Sequence, residues 1–335
     1  MVTTKNKAMS NGQISAIEEH HKRNDGLPFD GSIIEKIKIN RSAVERRAAT
    51  ISTRRSVKKQ WQAAWLLKAI SCIDLTTLAG DDTRGKVIRL CAKAKNPVRP
   101  DILRALGMEE SHLHTGAVCV YHNMIPIAVD ALKGSGIPVA AVSTGFPAGQ
   151  ISLEDKLIQI KKSVAAGAQE IDIVISRGLV IESNWQALYD EIKVMRDACG
   201  EAHMKTILAT GELPTLTKVA KASMVAMMAG SDFIKTSTGK ESVNATLPVS
   251  LVMIRAIREY HEMTGLKVGY KPAGGISKAK DALNYLMLLK EELGNDWLSP
   301  ELFRFGASSL LGDIERQLEH YVTGSYSASY RHPMS

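Results

Sequence analysis

Eight short β-prone apolar runs recur along this chain, and segments with helical spacing separate them. The runs are "AISCIDL" (Ala69 to Leu75), "AVCVY" (Ala117 to Tyr121), "PVAAVS" (Pro138 to Ser143), "EIDIVIS" (Glu170 to Ser176), "HMKTILA" (His203 to Ala209), "DFIKTS" (Asp232 to Ser237), "KVGYKPAG" (Lys267 to Gly274) and "LFRFGAS" (Leu302 to Ser308). Between them, Leu153, Ile158, Ile160 and Val164 mark a helix over Ser152 to Ala166, and Leu188, Ile192 and Met195 mark another over Trp185 to Cys199. Ser152 with Asp155 makes a helix start. Eight strands alternating with helices predict a closed (β/α)8 barrel of the TIM type, with a doubly wound open sheet as the alternative.

The net charge of +8 raises a nucleic-acid reading, but the charge is unevenly placed. Residues 1–60 hold 13 Lys/Arg against 6 Asp/Glu, a net of +7, whereas the other 275 residues hold 30 against 29. We therefore expect a basic N-terminal extension over 1–60, helical or irregular, with short helices around Gly31 to Ile51 and after Thr53. A barrel over 61–322 and a flexible tail over 323–335 follow. The leader reads as an appendage to the domain, and its "RRSVKKQ" as a solvated face more than an anion-binding surface. A nearly neutral domain makes nucleic acid an unexpected partner.

Cys72, Cys91, Cys119 and Cys199 are widely spaced with no CxxC pair, which predicts neither a disulfide framework nor a zinc site and suits a reducing cytoplasm. No apolar run approaches the roughly 18 residues that span a bilayer, and the N-terminus lacks the apolar core of a secretory signal. A cytoplasmic protein without membrane association is the expectation.

"SDFIKTSTGK" places Lys235 where a buried strand ends. A strand-end lysine is ordinarily a solvated gatekeeper. "STGK" resembles the tail of a phosphate loop, but position 234 is Ile and Glu241 follows Lys240, so that pattern fails. Strands four to seven, however, carry Asp172, Lys205, Lys235 and Lys271 where a barrel ordinarily places Val, Ile or Leu. Burying amines is costly, and neighbouring lysines favour the neutral form of at least one. A neutral amine is a nucleophile toward carbonyls, and a carboxylate beside it can move protons.

Gly274 and Gly275 follow strand seven, and Gly306, Ser308 and Ser309 open the final helix. Glycine turns and helix N-termini present N–H groups to anions, and barrels form phosphate sites after strands seven and eight. Gly239 and Lys240 extend that pocket. The histidines are scattered, "HLH" (His112 to His114) reads as surface, and Cys119 reads as a small core residue, so no metal and no cofactor are expected.

"CIDLTTL", "AVCVY", "STGFPAG", "EIDIVISRG", "ATGEL", "DFIKTSTGK", "KPAGGI" and "FRFGASSLL" occur in the order and spacing of the deoxyribose-phosphate aldolase family, which the chain resembles from Trp61 to Tyr330, most closely in its animal-type form. The resemblance implies a metal-free class I aldolase that cleaves 2-deoxy-D-ribose 5-phosphate to D-glyceraldehyde 3-phosphate and acetaldehyde. By its motifs, Lys235 forms the Schiff base, Lys271 lowers its pKa, and Asp172 shuttles protons with a bound water. Lys205 supports them. Asp74 and Thr76 are substrate-side positions, and Gly239, Lys240, Gly274, Gly275, Ser308 and Ser309 hold the phosphate. Tyr330 matches a C-terminal tyrosine that assists proton transfer, although here five residues follow it. A homo-oligomer is also implied. Two alternatives are weighed against this: a non-catalytic barrel that docks an acidic or RNA partner through its leader, and a Schiff-base lyase for another sugar phosphate.

Overall fold

The computed structural model describes residues 23–54 and 56–332. Its eight strands, all parallel, are β1 (Ile73–Thr76), β2 (Ala117–Val120), β3 (Val139–Val142), β4 (Glu170–Val174), β5 (His203–Ile207), β6 (Phe233–Lys235), β7 (Gly269–Lys271) and β8 (Phe305–Ala307). The first helices are α1 (Gly31–Lys36), α2 (Arg41–Ala49), α3 (Ile51–Arg54) and α4 (Lys59–Ser71). Between strands lie α5 (Arg84–Lys95), α6 (Pro100–Ala105), α7 (Ile125–Leu132), α8 (Leu153–Ala165), α9 (Arg177–Ile181), α10 (Trp185–Cys199), α11 (Leu216–Met228), α12 (Leu247–Thr264) and α13 (Ala279–Leu293), and α14 (Ser309–Thr323) follows β8.

Consecutive strands pair in order, and β1 also pairs with β8 in the register Asp74 to Gly306. Bridges Tyr270 to Phe303 and Ala273 to Gly306 join the β7 and β8 segments. The sheet thus curls round on itself, which rejects the open doubly wound alternative. Sequence boundaries were close: α10 spans Trp185 to Cys199 as expected, and Ser152 Oγ caps α8 by accepting from Asp155 N at 3.1 Å. The first run is the exception. Ala69 to Ser71 finish α4, whose apolar positions Leu66, Ala69 and Ile70 run directly into the strand.

Alternation along the strands sorts side chains into two sets. Ile73, Leu75, Val118, Val120, Val139, Ala141, Ile171, Ile173 and Ile234 pack outward with the helices in the main core. Cys119, Ala140 and Val142 form a separate small cluster, and the ionisable residues of the strands share its inward phase.

The leader is more than an appendage from Arg23 onward. Ile34, Val44, Ala48 and Ile51 are buried in the main core, and α2 packs on α12. Its basic side chains are partly committed to the barrel: Arg47 and Arg54 both reach Glu291 of α13, at 2.7 and 2.5 Å. Of "RRSVKKQ", Arg55 lies outside the described residues. At the other end, Ser327 and His332 are buried, and His332 Nε2 lies 2.6 Å from Glu319 of α14.

Candidate active site

Seven charged side chains meet inside the barrel. Asp172 of β4 is fully buried, and its Oδ2 accepts from Lys235 Nζ at 2.7 Å and from Lys271 Nζ at 2.8 Å. Its Oδ1 lies 3.3 Å from Lys205 Nζ. Lys205 also bonds Glu170 and stands 3.6 Å from Asp74, while Lys271 bonds Asp74 Oδ2 at 2.5 Å. Arg304 completes the group, with Nη1 2.5 Å from Asp74 Oδ1 and Nη2 3.0 Å from Glu170 Oε1.

The strand register explains this convergence. Asp172 lies opposite Lys205, and Lys235 opposite Lys271, so period-two alternation turns all four toward the barrel axis. Gly306 keeps room among them: a Cβ there would sit 2.7 Å from that of Ala273 and 3.3 Å from Lys271 Cε.

Burial opposes charge on every member, and the partners decide which charges survive. Burial alone would raise the Asp172 carboxyl, but Lys205, Lys235 and Lys271 hold it well below the usual range. Burial would likewise lower Lys271, yet Asp172 and Asp74 keep it above an ordinary lysine. Lys205 is raised against burial by Asp172, Glu170 and Asp74. Lys235 goes the other way. Burial depresses it, Asp172 opposes only in part, and the Lys271 charge adds to the depression. The result is one amine biased toward neutrality beside a cation and a carboxylate. Burial pushes the Cys119 thiol up to about 11, with Asp172 adding to it.

Lys235 opens into a cavity of about 560 Å³ at the C-terminal ends of the strands, where Thr76, Gly239, Lys240, Gly274, Gly275, Ser308 and Ser309 also contribute to the wall. Gly274 has φ +81°, and a Cβ on it would approach the Asn244 side chain to 2.6 Å, so only glycine fits this turn without displacement. Ser308 precedes and Ser309 begins the 15-residue α14, whose first N–H groups have no acceptor within the helix and whose dipole favours an anion. Lys240 Nζ reaches across to the Leu78 carbonyl at 3.1 Å. The turn before it is held by Glu241, which accepts from the N–H groups of Thr238 and Gly239 at 3.1 Å. In this arrangement Gly239 lends its shape to the pocket while Glu241 takes its N–H.

The structure thus brings Lys235, Lys271, Asp172, Lys205 and Asp74 into one network, and the six expected phosphate-pocket residues together with Thr76 around one cavity. Asp74 is fully buried and bound to Lys271 and Arg304, so it lies within the network and not on the cavity wall. Tyr330 is 82% exposed and lies outside the cavity wall. His112 and His114 are exposed. Sequence reasoning missed Glu170, Arg304 and Lys86. Glu170 and Arg304 carried the same signal as Asp172, an ionisable group in a buried strand segment. Lys86 sits in the first turn of α5 and also lines the cavity, paired with Asp82 at 2.8 Å.

The signature described as "DeoC/LacD family aldolase" matches residues 68–311. The chain belongs to this family. It is 62% identical over 314 residues to the deoxyribose-phosphate aldolase of Homo sapiens, covering 93% of this chain and 99% of that protein. The deoxyribose-phosphate aldolase of Bos taurus is 62% identical over 312 residues, covering 92% and 98%. A solved structure from Coccidioides immitis superposes with a TM-score of 0.62 at 22% identity, covering 84% of this chain and 98% of that one. A tetrameric deoxyribose phosphate aldolase from Aeropyrum pernix gives 0.57 at 20% identity, covering 84% and 99%. These last two share the barrel fold. Among the described residues no helix is long and apolar enough to cross a membrane.

Proposed function

We propose that this family member is a deoxyribose-phosphate aldolase working through a Schiff base on Lys235. The observation that carries the mechanism is the shared oxygen of Asp172, which Lys235 and Lys271 approach at 2.7 and 2.8 Å. Neutral Lys235 attacks the C1 aldehyde of the open-chain sugar. Asp172, relaying through water, moves the protons that let the carbinolamine lose water. The resulting iminium draws the electrons of the C2–C3 bond as the C3 hydroxyl gives up its proton, which releases D-glyceraldehyde 3-phosphate and leaves an enamine. Protonation at C2 and hydrolysis then release acetaldehyde and restore the amine.

In this reading Lys271 stays charged, so that Lys235 is the amine that is free to react. Lys205 anchors Asp172 from its other oxygen. The phosphate lies against Gly274, Gly275, Ser308 and Ser309, with Lys240 exchanging the Leu78 carbonyl for the ligand, and Thr76 flanks the sugar. Tyr330 reaches the site only if the tail moves. The basic extension, the barrel and the C-terminal segment act together as one homo-oligomeric protein, as the Aeropyrum relative's assembly suggests. Four buried free cysteines suit a reducing cytoplasm.

The test is turnover of 2-deoxyribose 5-phosphate against fructose 1,6-bisphosphate, with release of D-glyceraldehyde 3-phosphate, which both cleavages produce, as the readout. Preference for the deoxy sugar supports the assignment, and preference for the ketose phosphate turns it toward another Schiff-base lyase.

A further inference from the structure

Arg304 belongs to the charge network yet lines no part of the cavity. It sits one residue before β8, nearly buried, with its guanidinium spread between Asp74 and Glu170 and its Nε donating to the Pro300 carbonyl. Gly116, at the foot of β2, makes room for it: a Cβ there would lie 3.1 Å from Arg304 Cδ and 2.8 Å from the Ser71 carbonyl. The place is built for a large cation.

Four cations (Lys205, Lys235, Lys271 and Arg304) face three carboxylates (Asp74, Glu170 and Asp172). With one cation neutral the group balances, and with none neutral it carries an excess positive charge in a site poorly screened by solvent, which is unfavourable. The guanidinium cannot release a proton, so the neutral member must be a lysine. Lys205 lies within 4 Å of three carboxylates, Lys271 of two and Lys235 of one. Lys235 is the least supported.

We propose that Arg304 is a positioning residue that keeps Lys235 neutral: its permanent charge occupies Asp74 Oδ1 and Glu170 and leaves the cluster one cation in excess. This rests on the Schiff-base reading of Lys235. Without Arg304, three lysines would face three carboxylates and all three would hold their protons.

The experiment measures the acid limb of kcat/KM against pH for the full chain and three variants, with borohydride trapping of acetaldehyde on Lys235 at pH 7. Arg304→Met should move the limb up by at least about one pH unit, with a tenfold or larger loss of trapping rate at pH 7. Arg304→Lys should leave the limb closer to that of the parent, and Glu170→Gln, which removes a carboxylate, should move it down. Equal loss of Arg304→Met activity at all pH values, with the limb unmoved, overturns the proposal. If Arg304→Met does not fold, Glu170→Gln decides: a downward shift supports the charge balance, and an unmoved or raised limb overturns it. Failure to trap Lys235 in the parent protein overturns the Schiff-base reading itself, a result distinct from any shift among the variants.

Discussion

Lys235 and Lys271, register partners on β6 and β7, donate to the same oxygen of Asp172 at 2.7 and 2.8 Å. Two ammonium groups on one oxygen repel each other. Lys271 has a second carboxylate in Asp74, and Lys235 does not, so the repulsion is relieved at Lys235. That asymmetry is the ground on which we propose Lys235 as the nucleophile.

Replacing Lys235 with leucine should abolish turnover, by at least about 10³-fold, while leaving the barrel intact, because Asp172 keeps Lys205 and Lys271. Circular dichroism and a steady-state assay together check this. Substantial activity in a folded variant would remove the Schiff base from Lys235.

Lys271→Leu should slow chemistry more than binding. We expect kcat to fall by about 10² to 10⁴, with KM for the phosphorylated sugar nearly unchanged, because Lys271 lies beneath the cavity and not along the phosphate wall. Single-turnover kinetics separate the two, and an unchanged single-turnover rate would contradict the role.

The acid side of the stability profile follows from the carboxylates. Despite burial, the ammonium and guanidinium partners hold Asp74, Glu170 and Asp172 below their ordinary values of 3.8, 4.5 and 3.8. Groups depressed in the folded state stabilise it above their unfolded pKa, and the contribution is lost as pH falls toward the folded value. Urea unfolding should therefore show the network's contribution intact above about pH 5 and declining below about pH 4. Asp172→Asn should flatten that decline and cost about 3–5 kcal/mol at neutral pH, because it removes a buried carboxylate that Lys205, Lys235 and Lys271 share.

Much of this site was legible because buried ionisable residues interrupt apolar strands. Asp172, Lys205, Lys235 and Lys271 stand out between Ile, Met, Thr and Tyr neighbours. Glu170 and Arg304 stand out for the same reason, but each lies near a strand's start, where a charge also reads as a solvated end. The start of β1 was obscured because Ala69, Ile70 and Cys72 carry α4 into it with only Ser71 to interrupt the apolar run. The leader's packing was obscured by composition: Ile34, Val44 and Ile51 lie among many charged and polar residues, and only tertiary contact reveals that they share one core.

Those anchors yield a further prediction. Ile34→Ala and Ile51→Ala, each at a fully buried site, should each cost about 2–5 kcal/mol in urea unfolding. A true appendage would show almost no change.

Gly274→Ala should strain the turn and crowd Asn244, raising KM for 2-deoxyribose 5-phosphate at least tenfold. Adduct formation from acetaldehyde, which carries no phosphate, should change far less. Equal impairment of both would argue that Gly274 shapes the lysine site and not the phosphate wall.

The most direct measurement is borohydride reduction of the full chain in the presence of acetaldehyde, followed by peptide mass spectrometry. The account predicts a two-carbon adduct on Lys235. An adduct on Lys205 or Lys271 in its place, or no adduct on a folded protein that binds inorganic phosphate, would contradict it.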